Sequence, residues 1–160
     1  MKILNIKAAG LGGQGVLKVT DIIADAAFMA GMDVKKSEVH GMSQRGGSVS
    51  SDVRIAVDGG GGARPMIPGG ETDVLILLDA GQRELHAGAA SPGAAVIAPE
   101  DLKTPPENPK ALNIALLGAV SKTIGISEEI WRRAIRSALP PALHELNLRV
   151  FETARRESGL

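Results

Sequence analysis

No cysteine occurs among the 160 residues. Disulfides, thiolate zinc sites and cysteine-ligated iron–sulfur clusters are therefore excluded on this chain. Aromatic residues are almost as scarce, with one Trp, two Phe and no Tyr. That leaves too few rings for a base-stacking nucleic-acid surface, and the core has to be built from Ile, Leu, Val and Ala. Net charge is lacking too: 18 basic residues stand against 18 acidic ones. Bulk charge thus calls for neither nucleic acid nor an anionic membrane. No stretch approaches the ~18 uninterrupted apolar residues of a membrane span. The opening MKILNIKAAG has one strand's worth of apolar residues before a glycine. It lacks the longer apolar run and small-residue cleavage site of a signal peptide. The expectation is a soluble cytoplasmic chain.

What the sequence does have is glycine, 20 residues of it, and a succession of strand-like and helix-like segments. Ile3, Leu4 and Ile6 form a buried strand that ends at Gly10. Val16, Val19, Ile22, Ile23, Ala26 and Ala30 recur at helical spacing, and Gly31 supplies a C-terminal stop. Val34–Ser37 reads as a second strand and residues 38–47 as loop. Val49, Val53, Ile55 and Val57 alternate with polar residues, the mark of a strand with one wet face in an antiparallel or edge position. VLILLD at 74–79 is a central strand, SPG at 91–93 a turn, and AAVIA at 94–98 another buried strand. A short helix is expected over 82–87 and longer ones over 111–123, from Ser127 to the prolines at 140 and 141, and over 142–156. The last should turn Leu143, Leu146, Val150 and Ala154 inward. Small residues suit close helix–sheet layering. The expected fold is a three-layer α/β/α, Rossmann-like mixed sheet, mostly parallel with an antiparallel or edge strand. No repeat or linker divides the chain, and residues 1–160 read as a single domain. The glycines at 59–62 lie between strands and read as a local excursion.

Gly10, Gly12 and Gly15 fit G-x-G-x-x-G between a strand and a helix, which is the context of a dinucleotide fingerprint. Together with Gly13 and Gln14 they are the candidate cofactor-binding residues. Glycines let backbone approach a ligand, and the free N–H groups of a helix start favour an anion. The fingerprint also wants an acid about 20 residues on for the ribose. Here Lys35, Lys36 and Ser37 occupy that region, with Glu38 just beyond. A displaced acid, a phosphate site and a ligand-free tight turn all remain open.

SEVHGMSQRGG at 37–47 crowds His40, Ser43, Gln44 and Arg45 between glycines. A lone His or Arg is usually structural or solvated; four polar residues in one tight loop can converge. Arg45 can clamp a carboxylate or phosphate bidentately. His40 can exchange a proton near neutral pH. These four are site-lining candidates and none is assigned as catalytic; no metal site is expected. Loops after adjacent parallel strands meet at one sheet edge, so both motifs should share a surface.

The two motifs together, GLGGQGV at 10–16 and SEVHGMSQRGGSV at 37–49, resemble the gamma-type subunit of 2-oxoacid:ferredoxin oxidoreductases. The Pro65–Pro68 segment, DVLILLD at 73–79 and NIALLGA at 113–119 extend the likeness over most of the chain. Within that family the resemblance is closest to the beta subunit of the indolepyruvate enzymes. It implies a subunit inactive alone, serving an enzyme that converts a 2-oxoacid, here an aryl pyruvate such as indolepyruvate, to acyl-CoA, CO2 and reduced ferredoxin. It also implies that thiamine diphosphate and the iron–sulfur clusters sit on a partner subunit, which agrees with the missing cysteines. No cofactor is expected on this chain alone. Coenzyme A is a possible contact of the glycine turn, and the isolated chain is a possible homo-oligomer. A free-standing nucleotide-binding oxidoreductase and a non-catalytic binding module of the same fold are the competing readings.

Overall fold

A computed structural model describes residues 2–40 (the backbone alone at 40), 47–58 and 64–160. Five strands form one mixed sheet: β1 (Ile3–Leu11), β2 (Asp33–His40), β3 (Ser48–Ala56), β4 (Thr72–Leu77) and β5 (Ala90–Ile97), in the order β2-β3-β1-β4-β5. β1 runs parallel to β4, and β4 to β5; β3 is antiparallel to both of its neighbours. Four strands therefore point one way and one opposes them, which is the mixed, mostly parallel sheet expected.

The helices are α1 (Val16–Met29), α2 (Gln82–His86), α3 (Leu112–Val120), α4 (Glu128–Ala138) and α5 (His144–Glu157). The three layers are unequal. α1 covers the β1–β3–β2 half of one sheet face and α3 the β4–β5 half. α4 packs outside α1, and α5 outside α3. One continuous core joins Ile6, Ala8, Val53, Ile55, Val74 and Ile76 of the sheet to all four helices. Among the described residues, the other face carries the short α2 and the returning segment 64–71, over a small cluster of Ala9, Leu75, Leu77 and Ala98. No helix among the described residues is long and apolar enough to cross a membrane.

The scarcity of rings is met by close backbone approach. α3 is buried on every side between sheet and α5, its eight residues Asn113–Val120 included. At Gly118 a Cβ would fall 2.4 Å from the carbonyl oxygen of Phe151, so glycine is what lets α5 lie so near. The single Trp131 on α4 meets Phe151 on α5 with ring centroids 6.0 Å apart, tying the two outer helices together. Ser127 caps α4 as expected, accepting from the Ile130 N–H.

Four expectations are corrected. Residues 38–40 are strand, not loop, because Glu38, Val39 and His40 continue the ladder against Ser51, Ser50 and Val49. β3 is antiparallel, one of the two positions expected, but it is internal rather than at an edge, and at Asp52 and Arg54 its polar face is buried rather than wet, since both find partners there. Ser91–Gly93 is not a turn but lies within β5, where the register jumps from Thr72↔Ala90 to Val74↔Ala95 and Gly93 takes a φ of 79°. Of the residues expected to turn inward on the last helix, Ala154 is buried and Val150 packs half-buried against the core, but Leu143 is exposed, and Asn147 and Phe151 are the other buried residues of α5. The segment opens with a 3-10 turn, Pro141–Leu143, so Leu143 precedes α5 rather than lying on it.

Candidate functional site

The glycine turn is built as the spacing implied. β1 ends at Leu11, Gly12 and Gly13 reverse the chain, and Gly15 precedes α1 in the left-handed conformation, with a φ of 84°. Gly13 is left-handed too, at 88°, with open space where a Cβ would stand. At Gly10 a Cβ would meet the Gln14 side chain at 2.7 Å and Leu78 and Val16 at 3.0 Å, so this glycine seats the turn against β4 and α1. No side chain caps α1, and no acidic residue stands in its first turn. Its first N–H groups have no intrahelical partner, and the helix dipole adds positive potential there. They border an open hollow of about 450 Å³ lined by Leu11, Gly12, Gly13, Val16, Lys18 and Val49, among others. The donor set fits a phosphate or carboxylate.

Gln14 is engaged within the turn. Its Oε1 accepts from the Leu11 N–H at 2.7 Å and its Nε2 donates to Asp79 Oδ1 at 3.2 Å. Asp79 accepts in turn from the Gly81 N–H. The side chain braces the turn against the end of β4, and what it offers a ligand is shape rather than a free amide. Asn113 on α3 approaches from the other side, its Nδ2 3.5 Å from the Gly15 carbonyl. No local pattern marks Asp79 or Asn113, because each acts through a residue more than sixty positions away.

The second motif meets the first through its stem. His40 pairs with Val49 at the end of the β2–β3 ladder, and the Gly12 N–H donates to the Gly47 carbonyl at 2.9 Å. The two motifs thus share one end of the sheet, although not as adjacent parallel strands: β3 lies between β1 and β2. Ser43, Gln44 and Arg45 fall outside the described residues, as do the His40 side chain and the Gly59–Gly62 run. The inserted β3 also removes the arrangement that a dinucleotide site needs, in which the strand after the first helix lies beside the first strand and presents the ribose acid. Lys36 is spent on Asp21 of α1 and on Glu38, 2.9 Å away.

A polar cluster with no signature in the sequence lies on the thinly covered sheet face. Lys7 pairs with Asp52 at 2.5 Å, and Asp52 also accepts from the Ile67 N–H. Arg54 donates to Asn5 and to the carbonyls of Arg64 and Met66. His86 of α2 stands over the Lys7–Asp52 pair. Burial pushes its imidazole below the ordinary value, Lys7 adds to the effect and Asp52 opposes it. The unfolded chain therefore binds this proton more readily than the fold does. Stability is fully present above the ordinary histidine pKa of 6.5 and declines as the pH falls through the lowered value. His86→Gln should remove that part of the acid-side decline in melting temperature; a superimposable pH profile would refute it.

The pyruvate ferredoxin/flavodoxin oxidoreductase family model matches residues 5–157. The chain belongs to this family. It is a gamma-type subunit of a 2-oxoacid:ferredoxin oxidoreductase. It is 33% identical to indolepyruvate oxidoreductase subunit IorB of Thermococcus kodakarensis, over 95% of this chain and 94% of that one. The keto/oxoacid ferredoxin oxidoreductase gamma subunit of Geobacter sulfurreducens superposes with a TM-score of 0.75 at 24% identity, covering 98% of this chain and 97% of its own. The 2-oxoglutarate:ferredoxin oxidoreductase of Magnetococcus marinus, solved with 2-oxoglutarate, coenzyme A and succinyl-CoA, superposes at 0.80 and 22% identity, covering 98% of this chain and 31% of its own. These two superpositions establish the shared fold.

Proposed function

We propose that this chain is the non-cluster subunit of a thiamine-diphosphate-dependent oxidoreductase acting on indolepyruvate or another aryl pyruvate. The overall reaction releases CO2 from the oxoacid, joins the remaining acyl group to coenzyme A, and passes the electron pair to ferredoxin. Full-length likeness to an indolepyruvate oxidoreductase subunit supports the substrate class. The absence of cysteine leaves this chain no thiolate to ligate a cluster, which supports a partner subunit as the holder of the clusters and, on our reading, of thiamine diphosphate.

The observation that carries the role of this chain is the Gly12–Gly47 hydrogen bond. It fuses the glycine turn and the stem of the His40–Arg45 loop into one surface, which the partner completes. Gly10, Gly12, Gly13, Gln14 and Gly15 shape the turn, and its free N–H groups receive an anionic group of coenzyme A or substrate. Arg45 and His40 line the site beside it, with Ser43 and Gln44.

Co-expression with a cysteine-rich, thiamine-binding partner should yield a brown complex that reduces a viologen dye when given an aryl pyruvate and coenzyme A. Arg45→Ala in that complex should lower kcat/KM about tenfold or more, the worth of a charge-assisted hydrogen bond, and His40→Ala should act in the same direction. An isolated chain that oxidises or reduces a nicotinamide would refute the assignment. Full activity of both variants would remove the loop from the site.

A further inference from the structure

The thinly covered face of the sheet has the features of an interface rather than a finished surface. Val39 on β2, Leu85 on α2 and Met66 on the returning segment are 50%, 63% and 60% exposed. Between the first two runs a groove of about 220 Å³, lined by Val39, Ser48, Val49, Ser50, Leu85 and His86. Behind the lining, Gln82 is 6% exposed and donates from Nε2 to Ser48 Oγ at 3.5 Å, and both Gln82 Oε1 and His86 Nε2 are buried without a hydrogen-bond partner. Unmade bonds of this kind are costly, and here they sit beside exposed apolar side chains. The opposite face is closed instead, since α1 and α3 cover it and α4 and α5 cover them. The groove is also continuous with the surface assigned above. Val39 precedes, and Ser48–Ser50 follow, the loop whose stem bonds Gly12.

We infer that this groove is where the partner subunit docks, an inference that rests on the function proposed above. The chemistry identifies the segment that fits. It presents an apolar side chain to lie between Val39 and Leu85, and at its edge a hydrogen-bond donor for Gln82 Oε1 and a polar group for His86 Nε2.

The test uses the co-expressed complex and the isolated chain. Leu85→Glu and Val39→Glu place a charge in the contact and should weaken association with the partner at least about tenfold. The melting temperature of the isolated chain should stay unchanged, because both side chains are exposed. Phe28→Glu, at the 76%-exposed Phe28 on α1 behind the other face, should assemble normally. In the wild-type complex, amide exchange should slow at Val39 and along α2. Wild-type affinity in both charged variants, or unprotected amides there, overturns the inference. So does a loss of self-association in the variants with partner binding intact, which would assign the face to a second copy of this chain. The two readings fail separately. If the wild-type complex turns over an aryl pyruvate and the variants assemble equally well, the docking face is wrong and the function stands. If the variants lose the partner but the wild-type complex does not reduce the dye, the function is wrong and the face stands.

Discussion

Replacing Trp131 by alanine should cost the isolated chain about 4 kcal/mol, near the upper end for a large core side chain. Trp131 is fully buried, as is Phe151, its ring neighbour at 6.0 Å. The aliphatic side chains of the core around it are already buried and packed, so they can fill the space only in part. The loss is a sizeable share of a total stability of roughly 5–15 kcal/mol. Urea unfolding followed by circular dichroism would measure it. Trp131→Phe should be far milder, below about 2 kcal/mol, because the indole Nε1 is buried without a partner and its removal breaks no hydrogen bond. A cost for Trp131→Phe approaching that of the alanine variant would mean that Nε1 is bonded after all. The sole Trp also makes the wild-type protein its own fluorescent probe, as the ring passes from a dry core to water on unfolding.

How much of the fold and site is legible in the sequence follows from the range of each interaction. The glycine turn is legible because its causes are local: a strand, a left-handed Gly15 and a helix lie within a few residues. The same holds for the Ser127 cap and for the stop at Gly31, whose φ is 79°. The corrected expectations share a different cause. Period-two alternation in β3 is the signal of a half-wet strand, yet Asp52 and Arg54 are buried because Lys7, Asn5 and the carbonyls at 64 and 66 satisfy them. Nothing near residue 52 announces those partners. The position of β3 between β1 and β2 is likewise a matter of long-range pairing, and the habit of parallel neighbours in Rossmann-like folds points elsewhere. His86 and Gln82 sit in a stretch of small residues with no motif. Their significance comes from the sheet face beneath them.

Gly15→Ala should cost about 3 kcal/mol and should do so through two separable causes. The first is backbone strain: Gly15 has a φ of 84°, a region that costs a residue bearing a Cβ roughly 1–2 kcal/mol. The second is space: the new methyl would lie 2.4 Å from Asn113 Nδ2. Asn113 is buried and its Oδ1 accepts from the Ile114 N–H at 2.9 Å, so the side chain cannot swing away without breaking that bond, a further ~1–2 kcal/mol. Gly13→Ala separates the two causes. Its φ is 88° with nothing within 4 Å of where the methyl would stand, so it should show the strain alone. Asn113→Ala in the Gly15→Ala background should recover the contact share and leave the strain. If Gly13→Ala and Gly15→Ala prove equally costly, the Asn113 contact is worth nothing. The ordering should reverse in the assembled complex. Both glycines line the hollow at the start of α1, but a methyl at Gly15 would meet Asn113 whereas one at Gly13 would stand in open space, where it should obstruct an anion approaching the free N–H groups. Gly13→Ala should therefore raise the KM for coenzyme A more than its small stability cost suggests, whereas Gly15→Ala should act chiefly through loss of folded chain. Equal KM values for Gly13→Ala and wild type would take the anion away from this turn and leave its glycines a structural role only.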